Sequence, residues 1–198
     1  MRTRQRILEA AAELFRDRGY SNTRLTDIAE RAGVQTGSLY YHFASREALV
    51  SEILHVGMGT AWQHVHEAVD ALPTDTAPID RVAVAIKTHV LVVLDISTFA
   101  SAQSRVVNEV PDDVRSAHLD EQRAYGNYWR ELLEDAQRAG QLDSDLDLFL
   151  FRVALFGMMN ATTSLRPDRV IDAEAVATAV VSLVLDGVRT RPPTEGQR

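Results

Sequence analysis

The sequence has no cysteine at any of its 198 positions, and this absence removes whole classes of chemistry. Disulfide bonds, thiolate zinc sites and cysteine nucleophiles are all excluded. Because a chain without disulfides is typical of a reducing compartment, we expect a cytoplasmic protein. The hydrophobic share of 45% is enough for one large helical domain, or for a small domain joined to a larger one.

Long hydrophobic runs are missing as well. The first residues, MRTRQRILEAAAELF, alternate arginine, glutamate and apolar residues and lack the continuous apolar segment of a secretory signal. The longest apolar stretch, Leu148 to Met159, contains an arginine and is shorter than the roughly 20 residues of a membrane span. We therefore expect a soluble protein that is not exported and has no membrane partner.

The motifs of common enzyme classes are also absent. The chain has no HExxH, GxSxG or phosphate-binding loop, and GMGTAW, residues 57–62, lacks the third glycine of a dinucleotide loop. His64 and His66 would lie on different faces of a helix. We expect no catalytic residue, no metal and no cofactor. The alternative hypothesis is that the protein is an enzyme, and turnover of a bound metabolite would support it.

Charge is unevenly distributed along the chain, although the net charge is −7. Residues 1–46 carry eight arginines and five acids, a balance of +3, whereas the remaining residues carry 13 basic and 23 acidic groups, a balance of −10. This pattern predicts that the N-terminal part meets a polyanion while the acidic part orients its approach. The excess is modest, and many solvated helices would show it.

Apolar residues recur at helical spacing throughout, with no clear run of strands, so we predict an all-α protein of about nine helices. Helix one ends at Gly19, and helix two begins after an N-cap at Thr23, whose hydroxyl would accept the Thr26 amide, and ends at Gly33. A short third helix follows the turn AGVQ, which makes a helix-turn-helix. Longer helices are predicted at 46–72, 78–96, 97–108, 111–140, 146–165 and 172–189, with Ser45 and Asp172 as caps.

The third helix carries an unusual density of hydrogen-bonding groups, within GSLYYHFASREAL. Its eight residues would span ~12 Å, comparable with the width of the DNA major groove. Leu39 and Phe43 point inward, which leaves a set of small and polar residues outward or sideways: Thr36, Gly37, Ser38, Tyr40, Tyr41 and His42. Ser45 and Arg46 begin the next helix, where free amides favour a phosphate. Taken singly, each residue has an equally good structural explanation, as a helix defect, a core aromatic or a carbonyl-bonded histidine.

The segment LTDIAERAGVQTGSLYYHFASREALV resembles the helix-turn-helix signature of the TetR/AcrR family of transcriptional regulators, and ILEAAAELFRDRGYSNT resembles the helix before it. The resemblance implies a homodimer in which a three-helix DNA-binding domain, residues 1–48, precedes a larger helical domain for effector binding and dimerisation, residues 49–190. Residues 191–198 would be a flexible tail. The implied function is a repressor that a small molecule releases from double-stranded operator DNA. A helical DNA-binding protein without an effector is the alternative, although it would need no acidic body of this size.

Individual roles follow from the same resemblance. Phosphate contacts are implied for Thr23, Tyr41, His42 and Arg46, and groove contacts for Arg24, Gln35, Thr36, Gly37 and Tyr40. Two residues depart from the family pattern. Gln35 stands where a capping serine is common, and Arg46 stands where lysine is usual, which permits bidentate phosphate pairing.

The C-terminal helices predict the dimer. The helix at 146–165 is apolar nearly all round, and the last helix is similarly broad, so a second copy would most economically cover them. The expected interface residues are Ala154, Gly157, Ala161, Val176, Val180 and Val184. The alternative is a monomer that buries both helices in its own core.

The effector site is expected among large or polar residues on the helices that the resemblance assigns to the ligand cavity. These residues are Trp62, His89, Phe99, Gln103, Tyr125, Trp129, Met159 and Asn160. Each could equally be plain core or surface. Arg152 and Asn160 are polar within an apolar helix, so each needs a partner if it is buried.

Overall fold

The computed structural model describes residues 2–162 and 172–188, and within them the chain is all-α, with nine helices and no extended strand. The all-α prediction of about nine helices is confirmed. The helices are α1 (Thr3–Arg18), α2 (Leu25–Ala32), α3 (Thr36–His42), α4 (Arg46–Asp70), α5 (Pro78–Asp95), α6 (Ser97–Val106), α7 (Asp112–Arg138), α8 (Leu148–Ala161) and α9 (Ala173–Val188).

Side-chain caps fix the beginnings of three helices. The Ser45 hydroxyl accepts the Ala48 amide at 3.1 Å at the start of α4. Asp147 accepts two amides at the start of α8, and Asp172 accepts two at the start of α9, all at 2.9 to 3.3 Å. Such caps satisfy amides that have no partner inside the helix. The predicted caps Ser45 and Asp172 are confirmed.

The predicted N-cap Thr23 is wrong. Helix α2 begins at Leu25, and its first turn is closed by the Asp27 carboxylate, which accepts the Arg24 amide at 3.3 Å. Thr23 is fully buried, and its hydroxyl donates to the Gly19 carbonyl at 2.8 Å. The hydroxyl therefore closes the loop after α1 and does not reach the amides of α2.

The chain divides into two compact units. The first unit comprises Met1–Ala61 and Asp95–Arg123, and the second comprises Trp62–Leu94 and Ala124–Arg198. Two boundaries fall inside α4 and α7, so each of these helices has residues in both units, and the third falls before Asp95, the last residue of α5.

The core of the first unit is mainly aliphatic. Helix α1 packs against α2 and α6, and its buried face includes Ile7, Leu14 and Phe15. The core is completed by buried residues of the next helices, among them Ile28, Leu39, Phe43, Leu49, Ile53, Phe99 and Val106. Burial of these side chains holds the three N-terminal helices together.

The core of the second unit contains larger rings. Trp129 is fully buried, and Tyr125 is 2% exposed. Aliphatic and sulfur-containing side chains surround them, including Val65, Ile86, Val90, Leu133, Leu155, Met159, Val180 and Val184.

Helix α8 runs from Leu148 to Ala161 in the described residues. Its predicted end near Leu165 falls within residues 163–171, which lie outside the described part of the chain, as does the predicted tail. Among the helices that the structure describes, none by itself is long and apolar enough to cross a membrane.

Candidate DNA-binding surface and ligand site

The turn between α2 and α3 is fixed by backbone geometry and one arginine. Gly33 adopts a left-handed conformation, with φ of 64°, which ends α2 and would strain any other residue. The Arg6 guanidinium donates to the carbonyls of Ala32 and Gly33. Helix α3 is thereby held against the first two helices, with Leu39 fully buried beneath it.

The opposite face of α3 is open to solvent. Tyr41 is 86% exposed and Tyr40 is 54% exposed, which is unusual for side chains of this size. A Cβ added at Gly37 would meet no atom within 4 Å. We call this face the reading surface and define it by the exposed residues Arg24, Gln35, Thr36, Gly37, Tyr40 and Tyr41.

The segment that contains α3 carries no negative charge. Residues 32–46 contain no aspartate or glutamate, and the segment ends with His42 and Arg46. The nearest acidic residue before it on α2, Glu30, is followed by Arg31, which pairs with Glu13 at 2.6 Å. Within residues 32–46, hydroxyl, amide and guanidinium donors without competing carboxylates are suited to phosphate oxygens and base edges.

Arg46 lies beside this surface and stabilises the loop after α1. Its guanidinium donates to the carbonyls of Tyr20 and Thr23 at 3.3 and 3.2 Å, and it lies 4.0 Å from the centre of the Tyr20 ring. The Tyr20 hydroxyl donates to Glu47 at 3.0 Å. The pKa of Glu47 is lowered, chiefly by a backbone N–H at the start of α4 and by the Ser45 hydroxyl. The start of α4 is therefore tied to the loop between α1 and α2.

The second unit contains a compact group of rings that we call the ring cluster: Trp62, His89, Tyr125, Trp129 and Phe156. The Trp62 and Tyr125 rings are stacked with centroids 5.6 Å apart, and the Phe156 ring lies 5.5 to 5.7 Å from the centroids of the His89, Tyr125 and Trp129 rings. Such tilted and stacked pairs are the favoured arrangements of aromatic side chains.

A histidine and a tyrosine form the polar centre of the ring cluster. His89 Nδ1 lies 2.9 Å from the Tyr125 hydroxyl. Burial lowers the pKa of His89 from 6.5 to about 4, partly offset by Asn160, so the ring is neutral at pH 7. Burial also raises the pKa of Tyr125. The cluster therefore offers flat apolar surfaces and neutral hydrogen-bonding groups.

Helix α8 exposes an apolar stripe on the side away from its buried residues Leu155 and Met159. Leu150 is 62% exposed and Val153 is 54% exposed. The apolar stripe consists of residues at spacings of three and four, so they share one helix face: Leu150, Val153, Ala154, Gly157, Met158 and Ala161. A contiguous exposed apolar surface of this kind is typical of protein interaction sites.

Two family models match the chain. A model of bacterial regulatory proteins of the tetR family matches residues 7–53, which contain the helix-turn-helix. A model of the tetracyclin repressor-like C-terminal domain matches residues 75–188, more than half of the chain. The chain belongs to the TetR family. It is a DNA-binding transcriptional regulator, as the sequence predicted, and members of its family bind operator DNA and small-molecule effectors and act as dimers.

Relatives of this TetR-family chain match almost its whole length. It is 31% identical over 187 residues to the HTH-type transcriptional repressor KstR2 of Rhodococcus jostii (strain RHA1), with 93% of this chain and 90% of that protein covered. It is 22% identical over 187 residues to the fatty acid metabolism regulator protein of Bacillus subtilis (strain 168), with 93% and 95% covered. The solved structure of the ketosteroid transcriptional regulator KstR2 of Mycobacterium tuberculosis has the same fold, with a TM-score of 0.85 over 95% of both chains at 24% identity.

Most residues predicted to contact DNA lie on or beside the reading surface of this TetR-family chain. Ser38, His42, Ser45 and Arg46 are partly buried at its edge. Thr23 differs, because its side chain is fully buried and has no surface to offer a phosphate. The sequence could not show that Thr23 positions the loop. A threonine just before a helix looks the same whether its hydroxyl caps that helix or bonds back to the preceding loop.

The predicted effector residues separate into two groups. Trp62, His89, Tyr125, Trp129, Met159 and Asn160 belong to the second unit, and four of them are members of the ring cluster. Phe99 and Gln103 belong to the first unit, where Phe99 is part of the aliphatic core. Phe156 was missed, although its position four residues after Arg152 and four before Asn160 places it on their side of α8.

The predicted dimer residues on α8 and α9 also differ from one another. Ala154, Gly157 and Ala161 lie in the exposed apolar stripe. Val180 and Val184 are 6% and 5% exposed and belong to the core of their own protomer, and the partly exposed Val176 packs against that core. These three valines therefore offer a second copy little surface, and their part in a dimer interface stays a prediction. The exposed face of α9 instead carries Thr178, Ala179, Ser182 and Leu183. The valines follow the helical period that packs inward, whereas the small residues between them face outward.

Proposed function

We propose that the protein is a dimeric repressor that reads operator DNA with the reading surface of α3 and leaves the operator when an effector occupies the second unit. The observation that carries this proposal is the exposure of Tyr40 and Tyr41 on a short helix whose other face is buried. Two tyrosines in water gain nothing from folding, so their position is explained by contact with a partner.

The acid-free segment around α3 favours DNA as that partner. Tyr41, His42 and Arg46 would contact phosphates, which fixes the register of the protein on the duplex. Thr36 and Tyr40 would reach base edges in the major groove and supply the sequence preference. The open space around Gly37 would let the helix backbone approach the bases closely.

The apolar stripe on α8 supports a dimer in which a second copy covers the same face. Such a pairing is isologous, because each copy uses the same residues. Two reading surfaces ~34–36 Å apart would then face successive major grooves of a near-palindromic operator. The exposed Leu183 and small residues of α9 suit close packing beside α8 in a four-helix interface.

We place the effector at the ring cluster and propose that it has a largely apolar body. One relative is named a fatty acid metabolism regulator and one structural neighbour a ketosteroid transcriptional regulator, and the stacked rings of this chain suit an apolar ligand. Helix α4 is continuous from Arg46 to Asp70 and contains Trp62. A ligand that displaces Trp62 would move α4 and change the separation of the reading surfaces.

Selection of bound sequences from a random duplex library tests the DNA part of the proposal. We expect a near-palindromic consensus. Replacing Tyr41 or Arg46 with alanine should weaken binding to all sequences alike, whereas Thr36→Ala or Tyr40→Ala should relax the consensus at particular base pairs. Arg123→Ala, an exposed change outside the surface, is the control. Identical sequence profiles for all four variants would contradict the assignment.

Titration of operator DNA with and without effector tests the regulatory part. If effector lowers operator affinity by some factor, operator must lower effector affinity by the same factor, a coupling of typically ~1–3 kcal/mol. Trp62→Ala should reduce this coupling and leave effector-free operator affinity nearly unchanged. Equal operator affinity in the presence and absence of saturating effector would mean that this protein does not regulate through α4.

A further inference from the structure

Arg152 stands out among the cations of the second unit. Within the described part of that unit, it is the one lysine or arginine that has neither a carboxylate nor a carbonyl partner. The others are all paired: Arg81 donates to carbonyls of residues 73, 74 and 76, and ion pairs join Lys87 to Glu174, Arg130 to Glu134 and Arg138 to Asp135.

The Arg152 guanidinium occupies a space that exists because residue 126 of α7 is a glycine. Its Nη1 atom lies 2.7 Å from where a Cβ on Gly126 of α7 would be, so any other residue at 126 would displace the guanidinium. Arg152 is partly buried against this helix, and its guanidinium lies 5.9 Å from the centre of the Phe149 ring. A cation partly withdrawn from water without a counter-charge is unfavourable unless a partner arrives.

Arg152 also adjoins the ring cluster. Arg152, Phe156 and Asn160 follow one another at four-residue spacing and form a row on one flank of α8. The Phe156 ring meets the rings of His89, Tyr125 and Trp129, and the Asn160 side chain interacts with His89. The row therefore presents a positive charge at one end, a ring in the middle and a neutral amide at the other end.

We propose that the effector is an amphiphilic acid, with a flat apolar body between the rings of the ring cluster and an anionic group paired with Arg152. This inference rests on the proposed effector site. A guanidinium pairs bidentately with a carboxylate, sulfonate or phosphate, which fits its planar donors. The histidine and tyrosine at the centre are neutral, so Arg152 supplies the positive charge of the site.

The chain carries its own reporter for this site. It has two tryptophans, Trp62 and Trp129, and both belong to the ring cluster. Two probes share one aromatic skeleton and differ by a single anionic group: 1-anilinonaphthalene-8-sulfonate and the neutral N-phenyl-1-naphthylamine. Quenching of tryptophan emission measures the binding of each probe by the intact protein.

The wild-type protein should bind the sulfonate with quenching, and Arg152→Gln should weaken that binding about tenfold, which equals ~1.4 kcal/mol, while it changes binding of the neutral probe less than twofold. Gly126→Ala should produce the same selective loss, because its methyl group displaces the guanidinium without removing it. Arg138→Gln, which removes an exposed and paired cation of α7, should leave both affinities unchanged. The melting temperature of every variant is measured alongside.

Equal losses for both probes, no loss for either, or sulfonate binding without tryptophan quenching would overturn the inference. Binding of selected duplex DNA without any probe separates this outcome from failure of the proposed function. If wild type and Arg152→Gln bind DNA equally and the charge selectivity is absent, only the anionic class of the effector is wrong. If the wild-type protein binds no duplex, the proposed regulator itself is wrong.

Discussion

Helices α3 and α8 both expose large side chains to water, but the two surfaces differ in chemistry. The exposed rings of α3 carry hydroxyls and stand among glutamine, threonine and arginine, with no acid between residues 32 and 46. The exposed side chains of α8 are hydrocarbon, thioether or a bare glycine. A polar ring surface suits a hydrated polyanion, whereas a hydrocarbon surface suits a second copy of itself. The exposure of large side chains therefore predicts an interface, and the polar atoms of that surface predict the chemistry of its partner.

The buried polar groups of the two units differ in the same way. In the loop between α1 and α2, the buried hydroxyl of Thr23 donates to backbone carbonyls, so its polar group is part of the local structure. Beside α8, the buried polar groups are a histidine and a tyrosine bonded to each other inside a group of rings. A hydroxyl committed to the backbone fixes the local chain, whereas the bonded pair of His89 and Tyr125 joins two helices, α5 and α7.

The largest expected effect is on the α8 surface. Val153→Glu should abolish the dimer, because two carboxylates would be buried in one apolar interface, at a cost of roughly 3 kcal/mol or more. Operator affinity should fall by about 100-fold. Sedimentation at micromolar concentration and DNA titration measure both effects. Asn127→Glu, an exposed change on α7, is the control, and a dimer that survives Val153→Glu would show that the apolar stripe has another partner.

The second effect concerns the polar groups beneath α8. An unfolded chain protonates His89 near pH 6.5, but the folded chain does so only near pH 4, so acidification favours unfolding across that interval. The contribution should reach about 3 kcal/mol at pH 4.

Denaturant titrations from pH 7 to pH 4 test this expectation. His89→Gln should flatten the dependence of the unfolding free energy on pH, because it removes the buried imidazole. Parallel curves for wild type and His89→Gln would contradict the prediction.

The third effect distinguishes Thr23, which stabilises the fold, from Thr36, which we propose contacts DNA. Thr23→Val removes a buried donor from the Gly19 carbonyl and should lower the free energy of unfolding by about 1–2 kcal/mol. Where the variant is fully folded, its operator affinity should equal that of the wild type. Thr36→Val, on the reading surface, should show the reverse, with unchanged stability and weaker binding. A loss of operator affinity in folded Thr23→Val would contradict this prediction and support the phosphate contact that the resemblance implied for Thr23.

The smallest effects come from two glycines that have open space around them. Cβ atoms at Gly37 and Gly157 would meet nothing within 4 Å, so alanine should stabilise either helix by roughly 0.5–1 kcal/mol. If partners approach closely, Gly37→Ala should weaken operator binding several-fold and leave dimerisation alone, and Gly157→Ala should do the opposite. Thermal melts, DNA titration and dimer dissociation report the three quantities. Unchanged binding in both variants would show that neither backbone is approached closely.

The sequence by itself determined the helical period, the caps at Ser45 and Asp172 and the helix-turn-helix, because these are local properties of the chain. Tertiary structure decided which side of each element is used. Thr23 could have capped α2, but burial turned its hydroxyl toward the Gly19 carbonyl.

Packing also decided which faces of the two C-terminal helices lie inward. On α9 an apolar pattern that is broad all round does not say which face lies inward, and packing placed Val180 and Val184 in the core of their own protomer. The place for Arg152 beside Gly126 depends on two helices that are distant in sequence. Such pairings follow from the packing of whole helices, which no local pattern of residues records.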